Sequence, residues 1–210
     1  EKGDTRAQCN LGFCYYQGIG TPEDNEQAVK WFTQAAGAGQ ARAQQLLGEC
    51  YENGYGVEMD LEKAVELYRK SHEQHYPAGT CSLGVCYEFG KGVVRDAKRA
   101  AQLYRQAHEG GYVSATCALG VCYEFGDGVE MDKQKAVELY RQAAERGNVR
   151  AACNLGYCYY CGIGMEEDEE QAAAWFEKAA SQGSGRAMQL LGECYEYGRG
   201  VAEDKARAVE

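Results

Sequence analysis

Leu83–Gly90 reads LGVCYEFG, and the same eight letters return at Leu119–Gly126. The offset is 36 residues, and sliding the chain against itself at that offset aligns all of it without an insertion. Leu-Gly falls at Leu11-Gly12, Leu47-Gly48, Leu83-Gly84, Leu119-Gly120, Leu155-Gly156 and Leu191-Gly192. The same register carries the tyrosines from Tyr15 to Tyr195, the Gly-x-Gly pairs from Gly18-Gly20 to Gly198-Gly200, and the aspartates from Asp24 to Asp204. A fixed period of this length is the mark of stacked supersecondary units, none of which buries its apolar face alone.

Each repeat predicts two helices. In the first repeat, Ala7, Leu11, Cys14 and Tyr15 stand at the spacing of one helical face over Thr5 to Gln17. Gly18 ends that helix in a left-handed conformation, and Gly20 shapes the turn. Asp24 caps the second helix, whose apolar stripe is Ala28, Trp31, Phe32, Ala35 and Ala36, ending at Gly39. Gly12, in mid-helix, costs about 1 kcal/mol relative to alanine. Its return in every repeat predicts a second helix backbone passing close by.

The pattern A-x-x-x-L-G-x-x-Y-x-x-G-x-G, followed by the capping Asp and then Ala four residues on, resembles the Sel1-like repeat family, relatives of the tetratricopeptide repeats. The resemblance covers residues 1–210 as a single array, with repeats at 5–40, 41–76, 77–112, 113–148, 149–184 and 185–210. It implies an all-α fold, a right-handed α/α superhelical solenoid, and a scaffold or adaptor that binds proteins and has no catalytic residues to carry over. The last repeat breaks off at DKARAVE, and the sequence reads as continuing beyond both ends, so end-to-end self-association of the array is a further expectation.

Charge and composition narrow the function. A formal net charge of −10 gives a nucleic-acid phosphate backbone little general attraction. No apolar run approaches the roughly 18 residues of a membrane span. Of the eleven cysteines, Cys14, Cys50, Cys86, Cys122, Cys158 and Cys194 form one column before the tyrosine, about 60° from the leucine column on the helical wheel, and read as small buried hydrophobes. Stacked equivalents about 10 Å apart are too far for disulfides, which need α-carbons within about 7 Å. Cys9, Cys81, Cys117 and Cys153 lie about 140° round the helix from that column and are expected on the outward face. Cysteine-rich bacterial relatives pair a cysteine near the start of the first helix with one at the end of the second. The second-helix ends here carry none, so reduced thiols and a cytoplasmic location are expected. His72-x-x-His75 and Cys158-x-x-Cys161 have no second pair to complete a zinc site, and no metal or other cofactor is expected.

Function is sought on the first-helix face opposite the leucine stripe, which lines the concave groove in the tetratricopeptide relatives. The wheel places Phe13, Tyr16, Glu49, Glu52, Val85, Glu88, Phe89, Val121, Glu124, Phe125, Tyr157, Tyr160, Glu193, Glu196 and Tyr197 there. Aromatics among carboxylates suit a protein or peptide partner with apolar anchors and basic groups. Packing between neighbouring first helices is the competing account of the aromatics, and a solvated face that of the glutamates. Two other functions stand behind the scaffold: a redox or metal-responsive module using the Cys9-column thiols, and weak β-lactam hydrolysis of the kind credited to some cysteine-rich relatives. No nucleophile has a recognisable base beside it, so a non-enzyme is expected.

Overall fold

The computed structural model describes residues 4–209, and among these it contains eleven α-helices and no strand. In chain order they are α1 (Thr5–Gln17), α2 (Asn25–Gly37), α3 (Ala41–Asn53), α4 (Leu61–Glu73), α5 (Pro77–Phe89), α6 (Ala97–Glu109), α7 (Val113–Phe125), α8 (Lys133–Glu145), α9 (Val149–Cys161), α10 (Glu169–Ala180) and α11 (Gly185–Tyr197), followed by a 3-10 turn at Arg207–Val209. The chain forms two compact units, Glu1–Tyr112 and Val113–Glu210. In the first, the hairpins α1/α2, α3/α4 and α5/α6 stack, each second helix packing on the next first helix. In the second, α7/α8 and α9/α10 stack in the same way, with α11 against α10.

Helix ends follow from a few side chains. Asp24, Asp60, Asp96, Asp132 and Asp168 take extended backbone, and each carboxylate accepts the N–H three residues on at 2.9–3.0 Å. First helices end at Gly18, Gly54, Gly90, Gly162 and Gly198, all left-handed, whose N–H groups return to the carbonyls of Cys14, Cys50, Cys86, Cys158 and Cys194. The second glycine of the turn does something else. A Cβ on Gly56, Gly92, Gly164 or Gly200 would lie 1.9–2.4 Å from the carbonyl oxygen of Asn25, Leu61, Lys133 or Glu169, the first residue of the preceding repeat's second helix. Gly20 has the same left-handed backbone and nothing within 4 Å.

The core is the seam between paired helices. A methyl group on Gly12, Gly48, Gly84, Gly120 or Gly156 would stand 2.5–2.8 Å from the ring of Phe32, Tyr68, Tyr104, Tyr140 or Phe176. The neighbour that excludes a side chain is thus chiefly an aromatic face, not the backbone the sequence suggests. Only at Gly192 is a carbonyl, that of Ala208 at 2.9 Å, the nearest group. The expected stripe of the first repeat also needs correction. Ala7 is exposed and Leu11 is 38% exposed, whereas Ala43, Leu47, Leu83, Leu119 and Leu155 are buried. In α3 and α5 this column is covered by the preceding second helix, which α1 lacks among the described residues. His75 stands where other second helices are followed by glycine and adopts φ 57°. Among the described residues no helix is long and apolar enough to cross a membrane.

Candidate functional site on the first-helix face

The fifteen side chains expected on the first-helix face divide into three groups. In the first group the side chain is half-buried. Tyr16 meets Phe32 edge-on at 6.3 Å and Tyr55 at 6.1 Å, and Tyr160 meets Phe176 at 6.1 Å while its hydroxyl accepts from Arg199 at 2.7 Å. Phe13 lies under the Arg42 guanidinium at 4.9 Å, and Tyr157 under that of Arg186 at 5.2 Å. Asn10 and Asn154 each accept a hydrogen bond from the same arginine, at 3.2 and 3.3 Å. Val85 and Val121 are half-buried.

The second group is acidic. Glu52 accepts from the Tyr68 hydroxyl at 2.8 Å and from Lys91 Nζ at 2.7 Å. Glu88 accepts from Tyr104, and Glu124 from Tyr140 at 2.5 Å. Glu49 accepts from Gln45 Nε2 at 2.6 Å; burial pushes its carboxyl up, the Gln45 bond works against that shift, and neighbouring Glu52 adds to it. Glu193 accepts weakly from Gln189 at 3.4 Å. Glu196 is exposed beside the exposed Tyr197, whose phenol it pushes up. Three of the six glutamates are therefore hydrogen-bonded to the tyrosine that packs on the mid-helix glycine, a role invisible in helical spacing.

The third group is open. Phe89 is 63% exposed, Phe125 64% and Tyr197 64%, all at the last position of a first helix. In the second compact unit, Phe125, Val121 and Glu124 line a cleft of about 150 Å³ with Tyr157, Arg150 and Arg186. Those two arginines give it a cationic wall that the expected carboxylates do not cancel. Helical spacing does not reveal Arg186 as the lid of Tyr157; the signal for it is an arginine followed by alanine at the start of α3, α9 and α11.

The cysteines resolve differently in the two columns. Cys50, Cys86, Cys122, Cys158 and Cys194 are buried as expected, and Cys14 is half-buried. Burial pushes the thiols of Cys50, Cys86 and Cys158 up to about 12. The outward placement of Cys9, Cys81, Cys117 and Cys153 is overturned, since all four are buried. Cys9 belongs to the same buried cluster as Ala43 and Leu46 of the next first helix, so this flank is part of the core between hairpins. Cys161 is the exposed thiol among the described residues and shares a hydrogen bond with Tyr157. No three His, Cys, Asp or Glu side chains among the described residues group to hold a metal. His72 Nδ1 stands 3.0 Å from the Thr80 hydroxyl.

The family model described as Sel1 repeat matches residues 5–40, 41–76, 77–112, 113–148, 149–184 and 185–210. A Sel1 repeat protein from Oxalobacter formigenes superposes with a TM-score of 0.89 at 32% identity, over 99% of this chain and 83% of that one. The protein c5321, a protective antigen of uropathogenic Escherichia coli displaying the same repeat fold, superposes with a TM-score of 0.81 at 38% identity, over 98% of this chain and 44% of its own. This chain thus spans less than half of c5321. Cysteine rich protein B of Helicobacter pylori is 31% identical, with a TM-score of 0.50, over 63% of this chain and 96% of that one. No curated protein matches. Sel1 repeats commonly serve as protein-interaction scaffolds, and the all-helical hairpins, the 36-residue period and these matches together place the chain in the Sel1 repeat family of α-solenoid proteins.

Proposed function

We propose that this chain is a non-enzymatic protein-interaction scaffold whose partner docks on the first-helix face. The observation that carries the reading is the exposed aromatic at the last position of a first helix in each unit: Phe89 in the first, and Phe125 and Tyr197 in the second, present large apolar faces to water with no core role. The half-buried Tyr16 and Tyr160 frame that face from within and are poor test sites, because removing them opens the hairpin core. The partner carries apolar anchors for these rings. Basic groups on it would meet Glu193 and Glu196, and an acidic group would meet Arg150 and Arg186 beside Phe125.

The test is a triple variant, Phe89→Ala, Phe125→Ala and Tyr197→Ala, compared with the parent chain in affinity capture from the native host, read by quantitative mass spectrometry. Because these sites are exposed, stability should move by no more than about 0.5 kcal/mol per site. Proteins retained by the parent should be lost from the variant while the melting curves coincide. Equal retention by both would remove the first-helix face as the docking surface.

A further inference from the structure

The second helices carry an arrangement that the first-helix reading does not use. Between α4 and α6 lies a cleft of about 540 Å³. Arg69 and His72 enter it from α4, and Lys98 and Arg99 from the first turn of α6. Arg69 donates to the Tyr87 hydroxyl at 3.3 Å, and the Arg99 guanidinium lies 4.6 Å above the same ring. One phenol therefore gathers two guanidiniums on one wall.

Neither guanidinium, nor the Lys98 ammonium, stands within ion-pair distance of a carboxylate among the described residues. Glu73 and Asp96 also border the cleft, but the Asp96 carboxylate is occupied in capping α6, where it accepts the Arg99 N–H at 3.0 Å. Like charges held together without a counterion repel, and the amino end of α6 adds its own positive potential. In a chain of net charge −10, carboxylates are plentiful, yet of the two that border the cleft neither stands within ion-pair distance of these three cations.

The fold does not require the cluster. At the equivalent positions between α2 and α4 stand Thr33, Glu62 and Lys63, and between α8 and α10 stand Arg141, Glu170 and Gln171. Those hairpins stack equally well with one cation and one acid in place of three cations. Arg69 over Tyr87 has a structural counterpart in Arg141, which donates to Tyr159 at 3.0 Å, but there no second cation joins it at the helix start.

We propose that the cleft between α4 and α6 binds a dianionic phosphate monoester in the forks of Arg69 and Arg99 and against the Lys98 ammonium. Guanidinium forks match phosphate oxygens in pairs, and three cations call for a dianion in preference to a single carboxylate. His72 responds to the same ligand. The Thr80 hydroxyl donates to the Tyr76 carbonyl at 3.1 Å, so His72 Nδ1 is the donor in its bond to Thr80 and any added proton goes to Nε2. Burial, then nearby His75, holds the imidazole below its ordinary value, and a bound dianion raises it again.

The experiment is calorimetric titration of the full chain at fixed ionic strength with inorganic phosphate, O-phosphoserine, a phosphoserine peptide and the unmodified peptide. Saturable binding is expected for the first three probes. Lys98→Gln, at an exposed residue whose ammonium forms no ion pair among the described residues, and Arg69→Gln should each weaken it by about tenfold or more, the loss expected for one charge-assisted hydrogen bond. Lys135→Gln, at the helix-start position of the second unit, should leave it unchanged, and so should the triple aromatic variant above. The His72 ring proton resonances should titrate at higher pH with phosphate present. Tighter binding of the phosphopeptide than of O-phosphoserine would identify a modified protein as the source, and equal binding a free phosphate ester. Absence of saturable binding by phosphate, equal binding of the phosphorylated and unmodified peptides, or equal weakening by Lys135→Gln would overturn the site.

Discussion

Ser71 and Gly79 show how finely one side chain is fitted to the next. Ser71 Oγ is buried and donates to the Ala41 carbonyl at 2.8 Å, and a Cβ on Gly79 would fall 2.2 Å from that oxygen. In the other repeats the corresponding pairs are both alanine, as in Ala35 with Ala43 and Ala143 with Ala151. One atom added on α4 is offset by one removed on α5. Gly79→Ala should therefore destabilise the chain by about 1–3 kcal/mol, as overpacking does. In a Ser71→Ala background most of that cost should vanish, giving a coupling above about 0.5 kcal/mol in urea unfolding. Additive effects of the two changes would show that the pair is not in contact. The sequence displays both departures from the repeat but not that they touch, because the residues sit on different helices and only packing relates them.

At the level of the helix pair, the position after the column tyrosine and the ring on the second helix exchange partners as a set. Tyr68, Tyr104 and Tyr140 donate to Glu52, Glu88 and Glu124, whereas Phe32 and Phe176, which have no hydroxyl, face Tyr16 and Tyr160. A carboxylate serves where a phenol needs an acceptor, and an aromatic edge serves where the ring is purely apolar. Tyr140→Phe should cost about 1–2 kcal/mol by leaving Glu124 half-buried without its donor. Adding Glu124→Tyr to that variant rebuilds the pair found between Tyr160 and Phe176, and should recover most of the loss in denaturant midpoint. No recovery would mean that the two solutions are not interchangeable. Helix bounds were legible in advance from Gly18, Asp24 and their equivalents, since caps act over three or four residues. The tyrosine bonds of the glutamates were not legible for the opposite reason: a helical wheel assigns direction but not reach, and the hydroxyl bonded to Glu124 is sixteen residues away. Cys9 was misplaced in the same way, its direction correct and its neighbouring helix unseen.

Across the molecule the buried thiols, alongside the buried tyrosine hydroxyls, contribute to the alkaline limit. Burial raises Cys50, Cys86 and Cys158 to about 12 and Cys117 to about 11, from an ordinary 9.0. Between pH 9 and about 12 the unfolded chain has released protons that the folded chain still holds. Stability from these groups is therefore fully present below pH 9 and is lost as pH rises through the folded values. Melting temperature should be level near neutrality and fall steeply over that window. Replacing Cys50, Cys86 and Cys158 by alanine should flatten the fall while lowering the neutral value; an unchanged alkaline slope would assign the loss to other groups. The family was readable from the Leu-Gly, Tyr, Gly-x-Gly, Asp and Ala pattern that returns every 36 residues. The cation cluster of Arg69, Lys98 and Arg99 was not, because its members come from two repeats and stand out only when the equivalent clefts are compared.

The second glycine of each turn has a consequence for how such a chain can change its length. Gly56, Gly92, Gly164 and Gly200 each rest on the first residue of the previous second helix, so the docking of a repeat depends on its neighbour and not on its place in the array. Copy number is therefore free while spacing is not. Duplicating a whole block preserves every such docking, whereas one residue inserted in a turn destroys one. The near-identical stretches RAQCNLGFCYYQGIG and RAACNLGYCYYCGIG are the trace such copying leaves.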